Sequence, residues 1–195
     1  MKILREVGIT ILIAVAVFVA LHLNVQSYTV LSTSMLPNIE EHDCIMVSKA
    51  SCRTSDPQRG DVIVFHPPDP PISSDHPFIK RVIGVPGDIV EVKDGKVFVN
   101  DIPLGEEYIM AQPNYTMPAI EIPENEYFVL GDNRNNSNDS HNNWTVPRDN
   151  IIGKAWFTYW PPKNWRVIKH CSYPELNEAG EQEMIVSHSV EVQLE

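Results

Sequence analysis

The sequence has few basic residues, few cysteines and no periodic glycine. It carries 15 Lys and Arg against 26 Asp and Glu, a formal net charge of −11 over 195 residues. This shortage of positive charge argues against nucleic acid as a partner, because phosphates require a basic face. Three cysteines are too few for a disulfide framework, although one bridge, Cys44–Cys52, is compatible with an oxidising compartment. The nine glycines show no period and no longer repeat is visible, which excludes collagen-like and solenoid proteins.

Motifs for metal binding and for α/β-hydrolases are also missing. The histidines are scattered without the H-E-x-x-H spacing of a zinc site, and no G-x-S-x-G nucleophile elbow occurs. The sequence therefore predicts neither a metal site nor another cofactor.

One long apolar run lies near the start of the chain. Residues 7–25 contain no formally charged residue, and a helix of this length, about 28 Å, matches the hydrocarbon core of a bilayer. Lys2 and Arg5 precede it, which predicts a cytoplasmic N-terminus and places the rest of the chain on the extracytoplasmic side, whether periplasmic, extracellular or lumenal. A cleavable signal and a buried core helix are alternatives. We favour an uncleaved anchor over residues 1–25, because no small-x-small site follows the run and no polar stripe divides it.

After the anchor, the sequence predicts short β-strands separated by turns. Asp94-Gly95 lies between two alternating runs and is typical of a β-hairpin. No amphipathic helix is convincing here, so an antiparallel barrel or sandwich is favoured. The segment 163–195 is a tail, polar and acidic at residues 176–182 and weakly alternating at residues 184–194, for which disorder and an added edge strand both remain open. The predicted strands are residues 44–47, 61–65, 78–85, 89–93, 96–99, 127–130 and 151–159.

Two residues in separate segments suggest nucleophilic chemistry. Ser34 begins a Ser-Met-Leu-Pro turn shortly after the anchor, where a hydroxyl bonded only to its own turn is the simpler interpretation. Lys80 shares one face of the predicted strand 78–85 with Phe78 and Val82. Apolar surroundings lower the pKa of a lysine, and a neutral amine can take the proton of a serine hydroxyl. An edge-strand lysine reaching water is the alternative.

A third segment, residues 131–141, is too polar to be core and directly follows the predicted strand 127–130. Its Asp132 and Asp139 can pair with cations, and its Ser137 can orient the amine of Lys80. A solvated, asparagine-rich loop is the alternative interpretation.

Together, these segments resemble the bacterial type I signal peptidases, the membrane-bound Ser/Lys leader peptidases. SMLP at residues 34–37 is similar to the family's S-M-x-P box, and GDVIVF at residues 60–65 to its G-D-V-V-V-F strand. FIKRVIGVPGD at residues 78–88 resembles the box with the general-base lysine, and GDNRNNSNDS at residues 131–140 resembles the G-D-N-R-x-x-S-x-D-S box. The resemblance covers residues 1–162 in the family's order, with the anchor in front.

The resemblance implies a mostly β catalytic domain of two antiparallel sheets over residues 26–162, with a small cap at roughly residues 89–126, behind one transmembrane helix. It implies that Ser34 attacks the scissile carbonyl of a preprotein while Lys80 acts as general base. The Ser34 N–H and the Ser32 hydroxyl would form the oxyanion hole, and Ser137 would orient Lys80.

Further roles follow from the same resemblance. Asp132 would pair with Arg81, and Asp139 with His141, as structural support. His141 stands where the family usually has arginine, and Asn38 where it often has threonine. The substrates implied are preproteins with small residues before the cleavage site, and the bilayer is the second partner. The predicted substrate pocket consists of Met35, Phe78 and Val82.

Two other classes of function stay open at this point. One is a Ser/Lys peptidase of another role, such as a self-cleaving repressor or an organellar inner-membrane processing peptidase. A repressor would need a DNA-binding module, and an organellar enzyme a longer leader than residues 1–6. The other class is a non-catalytic, anchored β-domain that binds peptides. The oligomeric state does not follow from the sequence.

Overall fold

A computed structural model of the chain describes residues 2–72 and 74–176. Helix α1 (Lys2–Asn24) leads directly into the first strand, β1 (Val25–Thr29). The stretch Arg5–Asn24 has a mean hydropathy of 2.3, is long enough to cross a membrane and has no buried part. Because α1 packs no apolar face against the β structure, the core-helix alternative loses its support.

The remaining strands form two antiparallel sheets, as predicted from the sequence. The larger sheet has the order β1-β2-β11-β3-β4-β9-β10, with β12 paired to β11, and the smaller one has the order β7-β6-β5-β8. The strands of the larger sheet after β1 are β2 (Cys44–Ser48), β3 (Val62–Phe65), β4 (Phe78–Gly84), β9 (Glu126–Leu130), β10 (Val146–Pro147), β11 (Ile151–Trp160) and β12 (Arg166–Val167). Those of the smaller sheet are β5 (Ile89–Lys93), β6 (Lys96–Val99), β7 (Ile102–Pro103) and β8 (Met117–Glu121).

The predicted hairpin at Asp94-Gly95 joins β5 to β6. Both residues have positive φ, 51° and 72°, and the strands pair from Lys93↔Lys96 outward. Positive φ at both central positions gives the turn the twist that antiparallel strands require, which explains why this short signal was reliable.

Several elements lie outside the sequence prediction. A six-residue helix, α2 (Lys49–Thr54), follows β2, and its Ser48 N-cap accepts a hydrogen bond from Ser51 N. The two-residue strands β7, β10 and β12 are too short to show a period. Most side chains of β8 are not buried, so its sequence lacks the apolar alternation that marks a strand.

The first part of the segment interpreted as a tail packs onto the β structure. Ile168 and Tyr173 are each 4% exposed, and β12 pairs with β11 through Phe157↔Val167. The edge strand considered for residues 184–194 lies outside the described residues. All three cysteines are free thiols, so the Cys44–Cys52 bridge is not formed.

Candidate active site

Ser34 and Lys80 meet beside β4, an inner strand of the larger sheet. Ser34 lies in the tight turn between β1 and β2, which is held by the Ile39 N–H donating to Met35 O at 2.9 Å. Lys80 lies in the middle of β4, opposite Ile63 of β3. Its Nζ is 2.7 Å from Ser34 Oγ. A hydroxyl and an amine at this separation can exchange a proton directly.

The Lys80 amine is held in a nearly closed environment. The residue is 4% exposed, and Nζ also donates to Ile79 O at 2.9 Å. Burial lowers the pKa of Lys80 to about 8, because the ammonium form loses its hydration, while the charges of Asp139 and Asp132 act in the opposite direction. The ammonium form still predominates at pH 7, but the neutral fraction is far larger than for an ordinary lysine.

Asp132 and Arg81 form the predicted pair beneath the site. Asp132 accepts two hydrogen bonds from the guanidinium, from Nε at 2.9 Å and from Nη2 at 2.8 Å. Both side chains are at most 1% exposed. Burial alone would lower the pKa of Arg81, but the hydrogen bond and the charge of Asp132 outweigh it and raise the pKa. Asn38 Nδ2 donates to Asp132 as well, at 2.9 Å.

Asp139 and His141 form the second predicted pair. Asp139 Oδ1 lies 2.6 Å from His141 Nδ1, and its other oxygen accepts from the Gly131 N–H at 2.9 Å. The His141 ring stacks on Tyr115, with 4.4 Å between the ring centroids. Asp139 therefore joins the two ends of segment 131–141 behind Lys80.

Of the two other serines predicted for the site, Ser32 makes a hydrogen-bond contact there and Ser137 does not. Ser32 Oγ is 3.1 Å from Ser34 Oγ, so it lies beside the hydroxyl that would attack. Ser137 Oγ is buried but has no hydrogen-bond partner, so the predicted bond to Lys80 is not formed in this structure. Ser137 packs against Gly131, and a Cβ on Gly131 would lie 2.5 Å from Ser34 O and closer still to Ser137 Oγ.

A cavity of about 730 Å³ opens beside Ser34 and Lys80. Phe78 lines it, but Met35 and Val82, which the sequence assigned to the pocket, do not. Met35 and Val82 are both 0% exposed and belong to two different clusters of the hydrophobic core, Val82 to the one that includes Trp144. The apolar residues that do line the cavity with Phe78 include Val30, Ile45, Val64 and Ile79.

These walls come from separate segments of the chain, and no local pattern in the sequence brings them together. A second missed feature is Arg134, which is fully buried and donates to both carboxylate oxygens of Glu106, at 2.6 and 2.7 Å. This pair ties segment 131–141 to the loop after β7. Within residues 2–72 and 74–176, no group of three or more His, Cys, Asp or Glu side chains is placed to hold a metal ion.

Comparison with known proteins identifies the family. The model of the family described as "Signal peptidase, peptidase S26" matches residues 3–160, and the chain belongs to this family. It is 48% identical over 138 residues to "Probable signal peptidase I-1" of Synechocystis sp., covering 69% of this chain and 70% of that protein. It is 42% identical over 140 residues to "Thylakoidal processing peptidase 1, chloroplastic" of Arabidopsis thaliana, covering 67% of this chain and 41% of that protein. A crystal structure of a signal peptidase I from Enterococcus faecalis V583 aligns with a TM-score of 0.43 and 32% identity, covering 51% of this chain and 97% of that one.

Proposed function

We propose that this chain is a membrane-anchored serine endopeptidase that removes N-terminal signal peptides from exported preproteins. Ser34 is the nucleophile and Lys80 the general base of this proposal. The observation that carries it is the 2.7 Å separation between Lys80 Nζ and Ser34 Oγ, with the amine buried beside a cavity. Family membership supports the reaction class.

In the first step, neutral Lys80 accepts the hydroxyl proton as Ser34 Oγ bonds to the scissile carbonyl carbon. The carbonyl oxygen becomes an oxyanion, stabilised by the Ser34 N–H and the Ser32 hydroxyl. A preorganised donor of this kind contributes about 2.7–4 kcal/mol of transition-state stabilisation.

In the second step, the Lys80 ammonium returns its proton to the leaving nitrogen and the C–N bond breaks. The mature protein leaves with a free amino terminus, and the signal peptide stays as an ester on Ser34. Water then attacks this ester with Lys80 again as base, releasing the signal peptide as a carboxylic acid and restoring Ser34.

An extended substrate fits the edge of β4. This strand pairs with β3 from Phe78 to Arg81 but with β9 only from Arg81 onward. On the β9 side, residues 78–80 therefore have no strand neighbour among the described residues. A peptide could add main-chain hydrogen bonds there, with small side chains before the cut facing the apolar walls of the cavity.

The proposal includes anchoring by α1, with the N-terminus in the cytoplasm and the β domain on the extracytoplasmic side. Support comes from the length and hydropathy of Arg5–Asn24 and from the basic residues before it. An epitope tag after residue 195 should be accessible only from the extracytoplasmic face of sealed vesicles. Exposure on the cytoplasmic face would overturn this topology.

A second candidate is processing of proteins directed to a thylakoid membrane. It is favoured by the 42% identity to the thylakoidal processing peptidase of Arabidopsis thaliana. It uses the same two residues and differs only in the source of substrate. Parallel cleavage of a bacterial preprotein and a thylakoid-directed preprotein would separate the two.

The decisive test is cleavage of a preprotein by the full chain in liposomes. Ser34→Ala and Lys80→Ala should each lower the cleavage rate by at least about a thousandfold. Lys80→Arg should be equally inactive, because a guanidinium stays protonated. The exposed residues Ser55 and Lys96 provide matched controls, as Ser55→Ala and Lys96→Ala. Normal processing by either alanine variant of the proposed pair would refute the mechanism.

The lowered pKa of Lys80 gives a second test. Cleavage should rise with pH through about 8 and then level off, because only the neutral amine acts as base.

The lowered pKa of Lys80 also affects the free energy of unfolding. Below pH 8 the folded chain must hold a buried ammonium, which lowers its stability. This cost disappears as the pH rises from the folded pKa of about 8 to the ordinary value of 10.5. Lys80→Met should therefore be inactive yet more stable than the parent at pH 7. Lower stability of that variant in urea would argue against desolvation of the amine.

A further inference from the structure

Basic side chains are scarce in residues 26–195, and most of them are already paired. The 15 Lys and Arg of the chain, less Lys2 and Arg5, leave 13 in this part, against 25 Asp and Glu once Glu6 is set aside. Seven of the 13 form ion pairs within the described residues. Lys49 and Arg53 are among the six that do not, and both line one cavity away from the active site.

This cavity, of about 320 Å³, lies between α2 and the start of β11. Lys49 and Arg53 are four residues apart on α2, which places them on the same side of the helix. Arg148 also lines the cavity, and its guanidinium is held by Asp56 at 2.9 Å and by the carbonyl of Cys52. Cys52, His66 and Asp149 complete the charged and titratable lining. Two cations without an ion pair, Lys49 and Arg53, thus line the cavity together with Arg148, which is paired with Asp56, and Asp149 is the one acidic residue in the lining.

The cavity lies where α1 ends. The pairing Val25↔Ser48 puts the first residue after α1 beside the residue that precedes α2. Arg53 Nη1 donates to Asn24 Oδ1, on the last residue of α1, at 3.5 Å. If α1 crosses the bilayer, as proposed above, this contact puts the cavity at the level of the lipid headgroups.

We propose that this cavity binds the phosphate of an anionic phospholipid headgroup. Residues 26–195 have a formal charge of −12, because removing Lys2, Arg5 and Glu6 from a chain of −11 takes away a net +1. An anionic membrane surface would repel such a domain. A local cationic site next to the anchor gives the domain a fixed contact with that surface. The contact limits how the active-site cavity turns relative to the membrane.

The test is native mass spectrometry of the full chain, released from detergent micelles with phosphatidylglycerol or phosphatidylcholine. The parent should retain phosphatidylglycerol preferentially. Lys49→Gln/Arg53→Gln should weaken this binding by about 30-fold, since each cation near an anionic surface strengthens association about fivefold. Lys96→Gln/Lys163→Gln removes two other exposed, unpaired cations and should leave the binding unchanged. Equal retention of both lipids by the parent, or equal loss in both double variants, would overturn the proposal.

Two further measurements separate lipid binding from binding of free phosphate and from a folding defect of the double variant. Binding of inorganic phosphate without a preference for phosphatidylglycerol would assign the cavity to free phosphate and overturn the lipid proposal. Arg53→Gln alone alters an exposed side chain and should weaken lipid binding about fivefold, even if the double variant does not fold. The lipid experiment does not depend on cleavage. Failure of the peptidase proposal would therefore be seen in a different assay, in which the preprotein stays uncleaved. Release of the full chain from vesicles by alkaline carbonate would instead show that the anchoring on which this inference rests has failed.

Discussion

Two buried carboxylates act on the Lys80 amine through their charge, and they are held in different ways. Asp132 and Asp139 are both 0% exposed, and the charges of both raise the pKa of Lys80 against the effect of burial. Asp132 faces a guanidinium through two hydrogen bonds. Asp139 faces the imidazole of His141 through one, at 2.6 Å.

The difference lies in how firmly each carboxylate is held. A guanidinium is permanently charged and offers two parallel hydrogen bonds to a carboxylate, whereas one imidazole nitrogen offers a single bond. The Arg81 side is therefore the stronger support. The His141 side holds segment 131–141 through one ring hydrogen bond to Asp139. Three substitutions test this contrast.

The largest effect is expected from Asp132→Asn. It would leave the fully buried Arg81 without a counter-charge, and breaking a buried pair in this way costs about 3–5 kcal/mol. Urea unfolding should show a loss of this size. The matched control is Asp56→Asn, which removes a partner of Arg148 that is 80% exposed and should change stability by at most about 1 kcal/mol. Equal losses for the two variants would remove the distinction between buried and surface pairs.

An intermediate effect is expected from Asp139→Asn. The amide keeps an acceptor for the Gly131 N–H but lacks the charge that raises the pKa of Lys80. The rise of cleavage with pH should therefore occur at lower pH than in the parent, as measured by kcat/KM profiles. Asp94→Asn, in the distant β5–β6 turn, should leave the profile in place. A shift to higher pH in Asp139→Asn would contradict the electrostatic assignment.

The smallest effect is expected from His141→Arg. A guanidinium can give the Asp139 carboxylate two hydrogen bonds where the ring nitrogen of His141 gives one. At a single pH, hydrogen exchange of segment 131–141 should therefore be slower in the variant than in the parent. Identical activity and exchange in parent and variant would mean that His141 acts through its stacking on Tyr115 and not through its contact with Asp139.

The Ser34–Lys80 contact and the Asp132–Arg81 pair were expected from the family resemblance, not from local patterns alone. Strand alternation agrees with them, because it places Lys80 and Arg81 on opposite faces of β4. The contact of Asn38 with Asp132 joins residues 94 positions apart, and no local pattern reports it. Ser137 shows that a match to a family motif does not by itself fix a contact. It occupies the motif position expected to orient Lys80, yet its hydroxyl makes no hydrogen bond to the Lys80 amine.

Pocket walls were predicted least well. Met35 and Val82 lie one and two positions from Ser34 and Lys80 in the sequence, but closeness in sequence does not determine whether a side chain faces a cavity or the core. Val30, Ile45 and Val64 reach the cavity from separate segments of the chain. The larger sheet was predictable in kind because short β-rich runs are separated by turns, whereas its strand order depends on long-range pairing.

Position 131 next to the site accepts no residue larger than glycine without a shift of its neighbours. The space that a methyl group would need is already filled by the carbonyl of Ser34 and the side chain of Ser137. Alanine, elsewhere among the mildest replacements, would press on the backbone of Ser34. The turn that carries Ser34 can therefore pack this closely against segment 131–141 only because residue 131 has no Cβ.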